Sequence, residues 1–183
     1  MISLRRRQIA AVVGSTLAGV QLVATASKKR IPYSNHLAYG YAKKYCATTD
    51  NACGVYIKGP AGSDCAHFIA HCLHAGGIRI ANADPNTALC PTGLAIRNVV
   101  LVAELRKFAM MYSNVFEIGL DDAIVGDIGF LTLERPRHAF MICKNAAPLQ
   151  VPSVWAHSTD HCCEPLDTQW RQWFSTAFRL EDG

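Results

Sequence analysis

The hydrophobic spacing of this chain changes partway along, and that change limits the fold more than any single motif does. In the first two thirds, apolar residues recur at helical spacing. Ser34 is placed to cap a helix running through residue 45. Residues 65–75 read as a second helix, with Ser63 or Asp64 as cap and Gly76-Gly77 as a left-handed stop. Residues 95–113 read as a third, with Val99, Val102, Leu105 and Phe108 along one side. Beyond these the pattern breaks into short apolar runs bounded by Gly, Pro or charged turns. Residues 128–133, 139–143 and 153–157 therefore read as strands. A final segment carrying Trp170, Trp173, Phe174 and Phe178 is left without an element. Helices first and antiparallel strands afterwards predict an α+β fold with helices packed on one side of a small antiparallel sheet.

With 183 residues the chain suffices for one domain with a real core. Half of it is hydrophobic and 17% is charged, which excludes a disordered chain. The net charge of +4 comes partly from Arg5–Arg7 and from Lys28, Lys29 and Arg30. Without an aromatic-interleaved basic stripe elsewhere, it does not suggest a nucleic-acid partner. Residues 1–26 read as an export signal: a charged start, an apolar run and the small-x-small Ala24-Thr25-Ala26. Arg6-Arg7-Gln8-Ile9 also permits a twin-arginine signal. The alternative is an N-terminal helix packed on the domain, which occupies residues 27–183. Ile31-Pro32-Tyr33 reads as a linker.

Eight cysteines are present, at 46, 53, 65, 72, 90, 143, 162 and 163. None falls in a CxxC pair, so neither a zinc ribbon nor a thioredoxin motif is present. A disulfide framework requires an oxidising compartment, in which Cys46 and Cys53 lie close enough to staple a short loop. If one cysteine is kept for chemistry, a second must also stay unpaired.

The chemistry concentrates in Gly62-Ser63-Asp64-Cys65-Ala66-His67-Phe68, where a cysteine opens a helix directly after a loop. Unpaired N–H groups and the dipole at a helix start stabilise a thiolate, the reactive form of cysteine. The Cys65 N–H also lies where an oxyanion hole needs a donor. Further on, Gly126-Asp127 leads into one strand and His138 begins the next, placed to serve as a base. His157 ends another strand, where a polar group can hold the base in one tautomer; Asp160 competes for that role. His67 and His71 share a helix face, and with His161, Cys162 and Cys163 they are the residues a metal site would need. No standard zinc spacing appears, and neither metal nor cofactor is expected.

These residues resemble the NlpC-type, papain-like cell-wall peptidases, and more fully the related bacterial putative amidase domain. The likeness runs through Tyr41-Ala42, then Ser63-Asp64-Cys65-Ala66-His67-Phe68-Ile69-Ala70-His71-Cys72-Leu73-His74-Ala75-Gly76-Gly77, then His157-Ser158-Thr159-Asp160. It implies a papain-like fold and a cysteine peptidase or amidase with Cys65, His138 and His157 as catalytic residues. Tyr56 resembles the family's loop tyrosine, and Tyr56, Ser63 and His67 are the expected substrate contacts. His67 and His71 stand where the family has Asn and Gln, which puts specificity in question. The resemblance implies bacterial peptidoglycan as substrate, and the signal-like start implies export of the protein to the periplasm, cell wall or medium. An effector delivered against another cell would be matched by an inhibitor or immunity protein. The competing class is a non-catalytic binding or scaffold protein with the thiol structural.

Overall fold

The computed structural model describes residues 28–47, 64–78, 101–132, 136–145, 151–158, 161–166 and 174–183. The signal-like residues 1–26, Tyr56, Ser63 and Asp160 lie outside them. No helix among the described residues is long and apolar enough to cross a membrane.

Ser34 caps α1 (Asn35–Tyr45) as the sequence predicts, its side chain accepting from the Leu37 N–H. α2 (Asp64–Ala75) is buried from Asp64 through Leu73, so it is a central helix rather than a surface one. It ends at Gly76-Gly77, where Gly77 takes φ 101°, the left-handed value that glycine adopts without cost. α3 (Val102–Ala109) buries Val102, Leu105, Phe108 and Ala109. The helix therefore stops short of residue 113, and the stretch 79–100 is outside the described residues.

Six strands form one antiparallel sheet in the order β1-β6-β2-β3-β4-β5. They are β1 (Val115–Ile118), β2 (Ile128–Thr132), β3 (Pro136–Lys144), β4 (Ser153–Ala156), β5 (His161–Pro165) and β6 (Phe174–Leu180). Three of them, β1, β5 and β6, were not assigned from the sequence. Helices, a six-stranded antiparallel sheet and their separation along the chain make this an α+β fold.

The two faces of the sheet carry different clusters. Ala139, Met141 and Cys143 of β3 pack with Phe130, Trp155, Phe178 and the helices. Phe140 and Ile142 pack with Leu131, Val154, Ala156 and Leu166 on the other side. Alternation along a strand requires this division.

Ile31-Pro32-Tyr33 is not a linker. Ile31 and Tyr33 are buried, and the Asn114 side chain binds both the N–H and the C=O of Ile31 at 3.1 Å. The same Asn114 amide donates to the Glu181 carbonyl at 3.0 Å, tying the start of the domain to its end.

Among the described residues, disulfides join Cys46 to Cys162 and Cys143 to Cys163. The expected Cys46–Cys53 staple is thereby overturned: Cys46 reaches across to β5 instead. Cys163 sits at φ 64°, where the pairing of β5 with β4 shifts register between Val154↔Glu164 and Trp155↔Cys162. It is the extra residue of a bulge. That kink lets two adjacent cysteines both reach sulfurs near the helix side of the sheet, where strict alternation would send one to each face.

Candidate active site

α2 packs against α1, α3, β3 and β4. At about 100° of turn per residue, Asp64, Phe68 and His71 share one side of it, and Cys65, Ile69 and Cys72 share the adjoining side. Cys65 and Cys72 both keep their thiols and both are fully buried.

Asp64 is the centre of a buried polar chain. Its Oδ2 lies 2.8 Å from His157 Nδ1 and its Oδ1 lies 3.2 Å from His67 Nδ1. His67 Nε2 is in turn 3.1 Å from His71 Nε2, whose ring stacks on Tyr41. At the other end His157 Nε2 lies 2.9 Å from the carbonyl oxygen of Tyr45. The His157 ring also stacks on Phe68, with centroids 4.1 Å apart. Asp64, His67, His71 and His157 are all buried, and buried polar groups persist only when paired in this way.

The donors follow from the acceptors. A backbone carbonyl only accepts, so His157 Nε2 must carry a proton. With Asp64 ionised, Nδ1 donates as well and the pair is an imidazolium on a carboxylate; with the proton on Asp64, Nδ1 accepts it and the ring is neutral. In the ionised case His67 donates from Nδ1 to Asp64 and accepts at Nε2 from His71. The roles of the rings along the chain therefore turn on whether Asp64 carries a proton.

Three of the expected site residues take the following places. His157 was to orient His138, but both its ring nitrogens are taken, by Asp64 and by Tyr45. His67 was to touch substrate, yet it is buried with both nitrogens engaged. His138 was to face Cys65 from the start of a strand. Instead it pairs with Leu131 across the ladder, in step with Phe140 and Ile142, on the face turned away from α2. There its ring meets Phe140. Burial, aided by the charge of nearby His161, lowers its pKa from 6.5 to about 4, so it is neutral at pH 7.

The remaining motif residues are structural. Asp127 is fully buried. It accepts from the Ile124 N–H at 2.7 Å and from Arg179 Nε and Nη2 at 3.2 and 2.9 Å. Burial raises its pKa while Arg179 and the Ile124 N–H oppose the rise. Gly126 holds φ 91° with the Asn35 side chain against its Cα. The Gly-Asp signature thus builds a turn and a buried ion pair. Cys162 and Cys163, considered as metal ligands, are consumed by disulfides. No group of three or more His, Cys, Asp or Glu among the described residues is placed to hold a metal ion.

Sequence reasoning treated Asp64 as a helix cap and missed it as the partner of His157. The signal was present in the spacing: Asp64, His67 and His71, three and seven residues apart, stand on one side of an otherwise apolar helix.

A family model described as "Putative amidase domain" matches residues 32–87, less than a third of the chain. The matched stretch contains α1, α2 and Cys65 and ends before His138 and His157. No curated protein and no solved structure matches. The matched family points to hydrolysis of an amide bond.

Proposed function

We propose that this chain is a cysteine-dependent hydrolase of amide or peptide bonds, with Cys65 as nucleophile beside the buried Asp64–His157 pair. The observation that carries the reading is the first turn of α2. Cys65 stands there next to Asp64, which hydrogen-bonds the buried His157, itself held further by the Tyr45 carbonyl and the stacked Phe68 ring. The N–H groups of that turn and the His157 imidazolium both favour a thiolate. In this reading Cys65 Sγ attacks the carbonyl carbon and the Cys65 N–H supports the oxyanion. The leaving amine takes a proton from solvent water, and water then hydrolyses the thioester, freeing the Cys65 thiolate. The register of β3 puts His138 on the face away from α2, and His157, held between Asp64 and the Tyr45 carbonyl, contributes in this reading by its charge beside the first turn of α2.

Peptide stems of bacterial peptidoglycan are the proposed substrate, and an oxidising compartment outside the cytoplasm the proposed location. The two disulfides support the latter, together with the charged-then-apolar order of residues 1–26. The papain-like fold is part of the same proposal.

A second reading, a scaffold protein with a structural thiol, draws on the complete burial of Cys65. Cys72, equally buried in the same helix, is a built-in control. Digestion of purified peptidoglycan by the wild-type protein, followed by mass analysis, should show cleavage. Cys65→Ser should lower it about a thousandfold or more. Iodoacetamide should label Cys65 at least tenfold faster than Cys72. Equal, slow labelling and no cleavage by wild type would establish the scaffold reading instead, and a Cys65→Ser variant within tenfold of an active wild type would refute Cys65 as the nucleophile.

A further inference from the structure

The Tyr45 carbonyl that accepts from His157 belongs to the last residue of α1. Helix ends leave carbonyls without intrahelical donors, so this one is available, but only while the end of α1 stays where it is. The next residue, Cys46, is covalently joined to Cys162 of β5. Cys162 pairs across the ladder with Trp155 of β4, two residues before His157. The bridge therefore closes a small ring: from His157 back to Trp155, across to Cys162, through the sulfurs to Cys46, and by Tyr45 to the His157 ring. Both ends of the His157···Tyr45 hydrogen bond are anchored by one disulfide. The second bridge, Cys143–Cys163, ties β3 to β5 and does not reach α1.

We propose that the Cys46–Cys162 disulfide is a positioning element of the candidate site, which holds the His157 ring on the Tyr45 carbonyl, and so in its place beside Asp64, only in its oxidised form. The inference rests on the hydrolase reading for its effect on turnover, and on the geometry alone for its effect on His157. Closing the bridge takes two protons and two electrons from the two thiols, and a disulfide-carrying oxidant accepts them. A dithiol such as dithiothreitol returns them and becomes a disulfide itself. With the bridge open, the end of α1 and the β4–β5 hairpin are no longer held together, and the imidazole loses its second acceptor. Reductant, which ordinarily activates enzymes with a catalytic thiol, should here inactivate.

The test uses the full-length oxidised protein, a Cys46→Ser/Cys162→Ser double variant and a Cys143→Ser/Cys163→Ser double variant. Two quantities are read: hydrolysis of peptidoglycan, and the His157 ring N–H resonances by ¹⁵N-edited NMR. A hydrogen-bonded Nε2–H should be visible in oxidised wild type and in the 143/163 variant. It should vanish in the 46/162 variant and after dithiothreitol treatment. Hydrolysis should fall at least tenfold in the latter two and stay within about threefold in the 143/163 variant. Should the 46/162 variant fail to fold, stepwise reduction of the native protein replaces it, with mass analysis of alkylated cysteines reporting which bridge has opened. Loss of the ring signal must then track opening of Cys46–Cys162. An unchanged ring signal and unchanged hydrolysis with that bridge open would overturn the proposal. If oxidised wild type shows no hydrolysis at all, the hydrolase reading fails, and the ring signal still decides the positioning claim.

Discussion

His138 offers a measurement that needs no substrate. Its pKa falls from 6.5 in an open chain to about 4 in the fold, first through burial and then through the charge of His161. The folded protein thus favours the neutral imidazole, and the unfolded chain binds the proton more readily. Stability from this group is fully present above pH 6.5 and is lost as the pH falls from there towards 4. At about 1.4 kcal/mol for each pH unit, the full drop amounts to about 3 kcal/mol, a sizeable part of the ~5–15 kcal/mol that holds a domain together. The assay is urea unfolding at pH 7.5, 6.0, 5.0 and 4.0 with the disulfides intact, on wild type and on His138→Gln. The variant starts from a lower stability at pH 7.5, since the replacement packs less well. Its decline on acidification should nonetheless be shallower, so the two curves converge by about 3 kcal/mol between pH 7.5 and 4. His161→Gln should remove a smaller part of the same effect. Parallel curves for wild type and His138→Gln over that range would refute the argument, because every other titrating group is shared by the two proteins.

Two further substitutions test the Gly126-Asp127 turn. Gly126→Ala places a Cβ on the Asn35 side chain at φ 91° and should cost about 1–3 kcal/mol by the urea midpoint; Asn35→Gly in addition should restore only the part due to collision. Arg179→Met removes both guanidinium bonds from the buried Asp127 carboxylate and should cost about 3–5 kcal/mol near neutral pH, the loss shrinking on acidification as Asp127 takes up a proton.

Where the sequence reading and the structure agree, local signals were sufficient. Ser34 and the glycine pair bound α1 and α2, and β2, β3 and β4 are apolar runs closed by turn residues. Where they part, the deciding forces are tertiary. β5 reads His-Cys-Cys-Glu-Pro and is mostly exposed, with no alternation to see; it exists because β4 pairs with it and two bridges fasten it. β1 is four residues at the opposite edge, paired only to β6. The face of His138 was likewise hidden. Residues 139–143 are apolar on both sides, so a period of two cannot say which side meets α2. Only the pairing His138↔Leu131 settles it. The helix start that carries Cys65 and the strand end before His157 were legible as positions in the fold. The partner of His157 was not, because nothing local says that a carboxylate 93 residues earlier will fall opposite a strand end.

Adjacent cysteines on a bulged edge strand also create an ambiguity during oxidation. Cys46 and Cys143 each find two sulfurs, on neighbouring residues, within one step of the correct partner. The swapped isomer, Cys46–Cys163 with Cys143–Cys162, differs from the native one by a single-residue slip of β5. It keeps the same number of bridges and loops of nearly the same length, so chain entropy scarcely separates the two. What separates them is the bulge, because only the native register puts Cys163 in the left-handed position and Trp155 opposite Cys162. Oxidation faster than pairing of β4 with β5 would therefore trap the swapped form, and its rescue would depend on thiolate attack on a wrong bridge.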